Sequence, residues 1–106
     1  MSTEPEPPPT VEAELTAEQV DDLFRDLTLC ATMQHISVKF ATDARPEDRS
    51  TLLEDLDLVK SRYLLDRVTT RAVQLRYDFD GSLWIDTVTR RGEGDYHLLR
   101  IQHARI

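Results

Sequence analysis

Three runs of alternating apolar and polar residues fill the last third of the chain, between Arg71 and Ile106. A period of two is typical of β-strands that bury one face and expose the other. The runs are separated by Asp80-Gly81 and by the segment 91–95, which contains two glycines, and both have the composition of tight turns. The pattern therefore predicts a meander of three antiparallel strands in sequence order.

The first hairpin of this meander can form in two registers that differ by one residue. A two-residue loop at Asp80-Gly81 would place Leu75 opposite Asp86 and bury a carboxylate among apolar neighbours. A three-residue loop that begins at Phe79, with Gly81 left-handed, makes one face apolar throughout. It gives the pairs Tyr77–Leu83, Leu75–Ile85 and Val73–Thr87. Because a one-residue slip exchanges every side chain between the faces, we predict the three-residue loop, which buries the apolar groups.

The second hairpin extends this register and leaves aromatic and arginine side chains on the outer face. Its inner pairs are Ile85–Ile101 and Thr87–Leu99, and its outer pairs are Asp86–Arg100, Val88–Leu98 and Arg90–Tyr96. Aromatic residues and arginine are enriched at protein interfaces. We therefore predict a partner-binding face that consists of Arg76, Trp84, Val88, Tyr96, Leu98 and Arg100. Within it, Arg76 is expected to stack on Trp84. In the alternative, a helix or the strand 35–41 covers part of this face.

Two helices and one further strand are predicted upstream of the meander. Leu15–Met33 is apolar at helical spacing, and Thr16 with Gln19 forms a capping box at its start. The segment His35–Ala41 alternates and predicts a short strand, with a continuation of the first helix as the alternative. Thr51–Asp66 predicts the second helix, and its many leucines would also suit contact with a second subunit. The expected fold is therefore α+β, with two helices packed on an antiparallel sheet.

Length and charge indicate one domain with an acidic tail. The chain has 106 residues and a formal net charge of −7, and all of that net charge lies within residues 1–26. Residues 1–14, which include Pro7-Pro8-Pro9, are predicted to be a disordered tail, and residues 15–106 a single domain. Because the acidic region repels duplex nucleic acid, no nucleic-acid partner is expected. An acidic mimic of nucleic acid, which would bind a basic protein, is one alternative function.

A cytoplasmic protein without a cofactor is expected. No apolar run approaches the ~20 residues of a membrane span, so no membrane partner is predicted, and the acidic N-terminus lacks the features of a secretory signal. Cys30 is the only cysteine, which favours a reducing compartment. Two of the three histidines, His97 and His103, share a predicted strand but lie about 20 Å apart along it. We therefore predict neither a metal site nor a cofactor.

One short segment resembles a catalytic motif. Asp78-Phe79-Asp80-Gly81-Ser82-Leu83 resembles motif I of the haloacid dehalogenase-like phosphatases. The resemblance implies Asp78 as the phosphoryl-accepting nucleophile and Asp80 as the general acid and base, with a magnesium ion. It covers six residues, and the motif of that family ends a continuously apolar parallel strand, whereas Gln74 and Arg76 interrupt this one. Aspartate and glycine are also typical of a hairpin turn, and we predict the hairpin.

The leading functional hypothesis is a small non-enzymatic interaction protein. It would act as an accessory, assembly or regulatory factor that binds a protein partner, for example a larger enzyme or complex, through the outer face around Trp84. A homodimer is an alternative assembly, and the acidic tail would influence the encounter electrostatically. The second hypothesis is a small-ligand-binding or magnesium-dependent phosphatase-like pocket at Asp78 and Asp80, with Tyr63 and Tyr77 beside it.

Overall fold

The described part of the chain forms a five-stranded antiparallel sheet with two helices. It comprises residues 10–40, 56–67 and 70–103 of a computed structural model. The elements are β1 (Thr10–Leu15), α1 (Ala17–Cys30), β2 (Thr32–Phe40), α2 (Leu58–Leu65), β3 (Thr70–Phe79), β4 (Ser82–Gly92) and β5 (Asp95–His103). The strand order is β1-β5-β4-β3-β2. The predicted α+β fold with a C-terminal three-stranded meander is confirmed, and β2 is the predicted fourth strand.

The first strand lies where a disordered tail is predicted. Residues 1–9 lie outside the described residues, but Thr10–Leu15 pairs with β5 along its whole length. The predicted tail is therefore wrong for residues 10–14. Glu12 and Glu14 account for the acidic composition, and they share one face of the strand. The other face carries the apolar residues Val11, Ala13 and Leu15.

Helix α1 begins at its predicted cap. Thr16 Oγ1 accepts the backbone N–H of Gln19 at 3.2 Å, and Gln19 Oε1 accepts the backbone N–H of Thr16 at 2.8 Å, so the capping box is confirmed. The helix ends at Cys30 rather than at the predicted Met33, because Ala31 adopts an extended backbone that leads directly into β2. Its buried face consists of Val20, Phe24 and Leu27.

The boundaries of β2 and α2 also differ from those predicted. Strand β2 begins three residues before the predicted one, whose last residue, Ala41, lies outside the described residues. Helix α2 begins late because the Asp57 carboxylate caps it, accepting a backbone N–H of the first turn at 2.7 Å. The predicted helix Thr51–Asp66 is therefore wrong at residues 56 and 57, and residues 51–55 lie outside the described part of the chain.

The first hairpin has a two-residue loop, so the predicted three-residue loop is wrong. Asp80 and Gly81 both have positive φ, 51° and 79°, as a type I′ turn requires. The resulting pairs are Tyr77–Trp84, Leu75–Asp86 and Val73–Val88. This register buries Asp86 completely, but hydrogen bonds from the two neighbouring strands compensate for the buried carboxylate.

The second hairpin has the predicted register, and its pairs are Ile85–Ile101, Thr87–Leu99, Asp86–Arg100, Val88–Leu98 and Arg90–Tyr96. The helices, however, pack on the face predicted to be the outer one. The core consists of Val20, Phe24 and Leu27 from α1, Leu65 from α2, and Val73, Leu75, Tyr77, Val88, Tyr96 and Leu98 from the sheet. We call the other face, which carries Ile85, Leu99 and Ile101, the open face, because neither described helix packs on it.

An ion-pair cluster joins the two helices to each other and to β5. Arg62 Nε lies 2.6 Å from Asp21 Oδ1, and Arg62 Nη1 lies 2.9 Å from Asp66 Oδ2. The Tyr96 hydroxyl donates to the same Asp66 carboxylate, and the Arg62 guanidinium lies 5.7 Å from the centroid of the Tyr96 ring. The helices are therefore held to the sheet by charge-assisted hydrogen bonds as well as by apolar contacts.

Candidate functional site

The residues predicted to bind a partner do not form one exposed face. Val88, Tyr96 and Leu98 are buried in the core. Trp84 packs against the same core, and its Nε1 donates to the carbonyl oxygen of Phe79 at 3.2 Å. The predicted exposure is therefore wrong for Val88, Tyr96 and Leu98, and Trp84 is only partly exposed, because the observed register places the apolar residues of β3 on their side of the sheet. The alternative, in which helices cover this face, is confirmed.

The two arginines of the predicted set lie on opposite faces of the sheet. Arg76 is exposed on the open face, whereas Arg100 is half-buried on the helix side. The predicted stacking of Arg76 on Trp84 is wrong, because Tyr77, not Arg76, is the cross-strand partner of Trp84. Arg100 takes that place instead, with its guanidinium carbon 6.0 Å from the centroid of the Trp84 ring.

A buried carboxylate organises the helix side of the sheet. Asp86 has no solvent exposure, and its two oxygens accept three hydrogen bonds. Arg100 donates from Nε at 2.9 Å and from Nη2 at 2.8 Å, and the Tyr77 hydroxyl donates at 2.9 Å. This bidentate pair with an added hydroxyl satisfies the charge and geometry of the carboxylate, which is the condition for burying an ion in a protein core.

The same contacts shift the ionisation of both donors. The hydrogen bond to Asp86 raises the pKa of Arg100 against the opposing effect of burial. Burial raises the pKa of the Tyr77 hydroxyl above its ordinary value, and the negative charge of Asp86 raises it further. Arg100 therefore stays charged and Tyr77 stays neutral over the physiological range, so the three groups form a fixed structural network rather than a proton-transfer pair.

Alkaline pH is expected to destabilise the protein through Tyr77. The folded-state pKa of this hydroxyl is raised, so the unfolded chain loses the proton first once the pH exceeds about 10. The stabilisation is complete below that pH, and above it the free energy of unfolding falls by about 1.4 kcal/mol per pH unit for one tyrosine. Urea unfolding between about pH 8 and about pH 11 measures this slope.

The control for that experiment is Tyr77→Phe, which removes the titrating group and keeps the ring. Above about pH 10, we expect the free energy of unfolding of this variant to fall less steeply with pH than that of the wild type. The difference should correspond to the release of about one proton. The pKa of Tyr96 is also raised, by burial and by its hydrogen bond to Asp66, and this residue contributes equally to both proteins. Equal slopes in wild type and variant would show that Tyr77 titrates alike in the folded and unfolded states.

A depression of about 360 Å³ lies beside this network, at the end of α1. Its walls are largely apolar and consist of Leu23, Leu27, Ala31, Tyr77 and Phe79, with Cys30 at the same end of the helix. Its charged groups are Asp26 and Arg100. Arg100 already donates from Nε and Nη2 to Asp86, so the depression combines an apolar wall with an arginine whose main contacts are internal.

The residues of the phosphatase-like segment lie in and beside the hairpin turn, as the hairpin interpretation predicts. Asp80 is the first residue of the turn, and Asp78 follows the alternation of β3 onto the open face, where it accepts a hydrogen bond from the Gln34 side chain. Tyr77 points to the opposite face and into the core. Tyr63 is 61% exposed on α2 and accepts a hydrogen bond from Arg67. The second hypothesis requires these four residues to line one pocket, and the structure does not bring them together.

Possible metal ligands are likewise dispersed. Across residues 10–40, 56–67 and 70–103, no group of three or more histidine, cysteine, aspartate or glutamate side chains could hold a metal ion. His97 and His103 lie on the open face of β5 at opposite ends of the strand, opposite Thr89 and Leu83 respectively.

The open face combines an aliphatic centre with charged edges. Its centre consists of four partly exposed side chains, Leu83 and Ile85 on β4 and Leu99 and Ile101 on β5. Glu12 and Glu14 lie on β1 at one edge, and Lys39 lies on β2 at the other, with Arg76 on the adjacent β3. Between the centre and the edges lie polar residues, among them Gln74 and Thr87, whose side chains form a hydrogen bond of 3.3 Å.

These edge residues are absent from the predicted site, although a sequence signal for them exists. Val11, Ala13 and Leu15 alternate with the two glutamates, which is the pattern of an edge strand with one polar face. Proline and glutamate in the preceding residues dominate the composition and favour the interpretation as a tail. For Lys39 the predicted strand is correct, but the face it occupies depends on the register of β3, which the alternation alone does not determine.

No helix among the described residues is long and apolar enough to cross a membrane. Comparisons of the chain with protein-family models, with curated proteins and with solved structures gave no match.

Proposed function

We propose that this protein is a small non-enzymatic interaction module, an accessory, assembly or regulatory factor, that binds a protein partner through the open face of its sheet. The observation that supports it is the aliphatic centre of this face, where Leu83, Ile85, Leu99 and Ile101 occupy neighbouring positions on two central strands. The solvated face of an antiparallel sheet usually alternates to polar residues. A contiguous apolar patch with a polar rim is typical of a protein-binding surface.

The polar groups of the helix side support a structural rather than a catalytic role for that side. Asp86, Arg100 and Tyr77 satisfy one another, and Trp84 packs against them and the core. In this proposal the region around Trp84 supports the sheet, and the opposite face makes the contact. We place this role in the cytoplasm, because the single cysteine, Cys30, is free and exposed, as suits a reducing compartment.

The test compares two aspartate substitutions of aliphatic residues. Ile85→Asp puts a charge at the centre of the open face, and Val59→Asp puts the same charge on α2, where Val59 is 81% exposed. The wild type and the two variants are each tagged and incubated with a native lysate that also contains the untagged chain. Mass spectrometry then quantifies the proteins that each tagged chain retains. We expect a stoichiometric protein, retained by the wild type and by Val59→Asp, to fall at least about tenfold with Ile85→Asp.

A milder substitution separates binding from folding. Ile101→Thr keeps a β-branched side chain on the strand and removes part of the aliphatic centre, so its thermal unfolding should remain close to that of the wild type. It should nevertheless reduce retention. Equal retention by the wild type, Ile85→Asp and Ile101→Thr, with all three folded, would overturn the proposal that the open face is the binding surface.

A further inference from the structure

We propose that the partner on the open face is a second copy of this chain, packed sheet to sheet about a two-fold axis that runs along the strands. In this dimer β1 of one copy lies over β2 of the other. The inference rests on the proposed function, because it names the partner of the same face. The dimer is inferred from the distribution of charge across the open face.

Charges of opposite sign occupy the two edges of the open face. Cross-strand pairing aligns five residues in one row from edge to edge, in the order Lys39, Ala72, Thr89, His97 and Glu14. The row spans four strand spacings, about 19 Å in total. The next rows add Glu12 on the β1 side and Arg76 on the β3 side. Asp78 on β3 and Arg91 beside Glu14 reduce this separation, but they leave an excess of acidic groups on the β1 side and of basic groups on the side of β2 and β3.

When the strands of the two sheets are aligned, two-fold symmetry permits two ways to stack such faces, and the charges distinguish them. An axis in the plane of the sheet and perpendicular to the strands places each strand over itself, so the acidic strand β1 faces β1, and β2, which carries Lys39, faces β2. An axis along the strands exchanges the two edges and preserves position along the strand. It therefore places Lys39 of each copy over Glu14 of the other, and it brings Arg76 over Ile101, one strand and one row from Glu12. Only the second arrangement pairs opposite charges.

The same axis buries the β4 part of the aliphatic centre against itself. Strand β4 is the middle strand of five, so it lies on the axis, and Ile85 of one copy faces Ile85 of the other. Leu99 and Ile101 on β5 then face Gln74 and Arg76 on β3 of the second copy, and the aliphatic stems of these two longer side chains cover them. Sheets that pack this way lie about 10 Å apart, with their strands about 30° from parallel, and the aliphatic side chains of the two faces interdigitate.

A second copy suits the face better than an unrelated protein, because the charge pattern complements itself. A partner of one charge sign would be attracted by one edge and repelled by the other. An isologous contact needs one patch that matches its own rotated copy, and the open face supplies matched charges at equal distances from its central strand.

Charge reversal at the two ends of the row tests the arrangement. The dissociation constant of the dimer is measured by sedimentation velocity for the wild type, Lys39→Glu, Glu14→Lys and the double variant. Each single variant places like charges opposite each other at two symmetric sites, so we expect the constant to rise about tenfold. The double variant restores both pairs with their signs exchanged and keeps the net charge of −7, so its constant should return to within about threefold of wild type.

Glu18→Lys is the matched control for Glu14→Lys, because it makes the same charge change on α1, away from the open face. It should leave the dissociation constant unchanged. Glu14 also lies 3.5 Å from Arg91 in its own chain. Loss of that exposed ion pair alone could weaken the dimer of Glu14→Lys. In that case Lys39→Glu, added as the second substitution, would not restore the dissociation constant. No rescue in the double variant, or single variants that associate like the wild type, would therefore overturn the proposed axis.

The outcomes separate this inference from the proposed function. A wild type that remains monomeric at all concentrations overturns the dimer, and retention of a different protein that depends on Ile85 then still supports the proposed function. A dimer that persists in Ile85→Asp overturns the placement of self-association on the open face. Both proposals are supported if the dimer is lost in Ile85→Asp, is weakened in each single charge variant and is restored in the double variant.

Discussion

Substitution of Arg100 by methionine is expected to lower the free energy of unfolding by about 3 kcal/mol, because it leaves the Asp86 carboxylate buried without its cation. The estimate is at the lower end of the usual range for a broken buried pair. The Arg100 side chain is 29% exposed, so in the variant water can replace some of its hydrogen bonds to Asp86. Asp86 itself has no exposure. Urea unfolding at neutral pH measures the effect.

Removing the whole polar network should be far less costly than breaking it. The triple variant Asp86→Leu, Arg100→Met, Tyr77→Phe leaves no buried polar group unpaired, and its stability should lie within about 1.5 kcal/mol of the wild type or exceed it. Arg25→Met is the control, since Arg25 is 65% exposed in a surface pair and its loss should cost at most about 0.5 kcal/mol. If Arg100→Met also cost no more than this control, the carboxylate would not depend on its partner.

Truncation of Phe24 to alanine is expected to lower the free energy of unfolding by about 3–5 kcal/mol. The ring is 5% exposed, and it packs in the cluster that joins α1 to the sheet, so its removal leaves a cavity in the layer of side chains between helix and sheet. The thermal midpoint and the urea midpoint should both fall, and the urea dependence of unfolding should stay unchanged if the native state keeps its compactness.

The matched control lies five residues further along the same helix. Leu29 is 75% exposed, so Leu29→Ala removes an aliphatic side chain without leaving a cavity. Leucine and alanine also have similar helix propensities, and the change should stay within about 0.5 kcal/mol. Similar losses in Phe24→Ala and Leu29→Ala would show that α1 is stabilised by its own helicity and not by packing on the sheet.

Features determined by near neighbours were predictable from the sequence. The capping box of Thr16 and Gln19 involves residues three apart, and the pairing of β4 with β5 follows from a short loop and two alternating strands. The buried stripe Val20, Phe24 and Leu27 follows from helical spacing alone. In each case the interacting groups are close in the chain, so the periodicity of the residues contains most of the information.

The side of the sheet that the helices cover was not predictable in this way. The correct register buries Asp86 beside Leu75. We rejected this register because a carboxylate on an apolar face is usually unfavourable. Two groups reverse that preference: the Tyr77 hydroxyl from one neighbouring strand and the Arg100 guanidinium from the other. Their joint effect depends on three strands meeting at one point, which pairwise reasoning about a single hairpin does not include. The exposure predicted for Val88, Tyr96 and Leu98 was wrong for the same reason.

The pairing of β1 with β5 determines the order in which the sheet can be completed. Strands β2, β3, β4 and β5 each pair with a neighbour in the chain, whereas Leu15 and Thr10 of β1 pair with Tyr96 and Ile101, about 80 to 90 residues away. On a ribosome β1 is made first, yet the strand that receives it is made last, and the loop to be closed is the longest in the sheet. The strand that carries Glu12 and Glu14 therefore has no partner strand until β5 has been made, and charged side chains are one means by which an unpaired strand resists pairing with other chains.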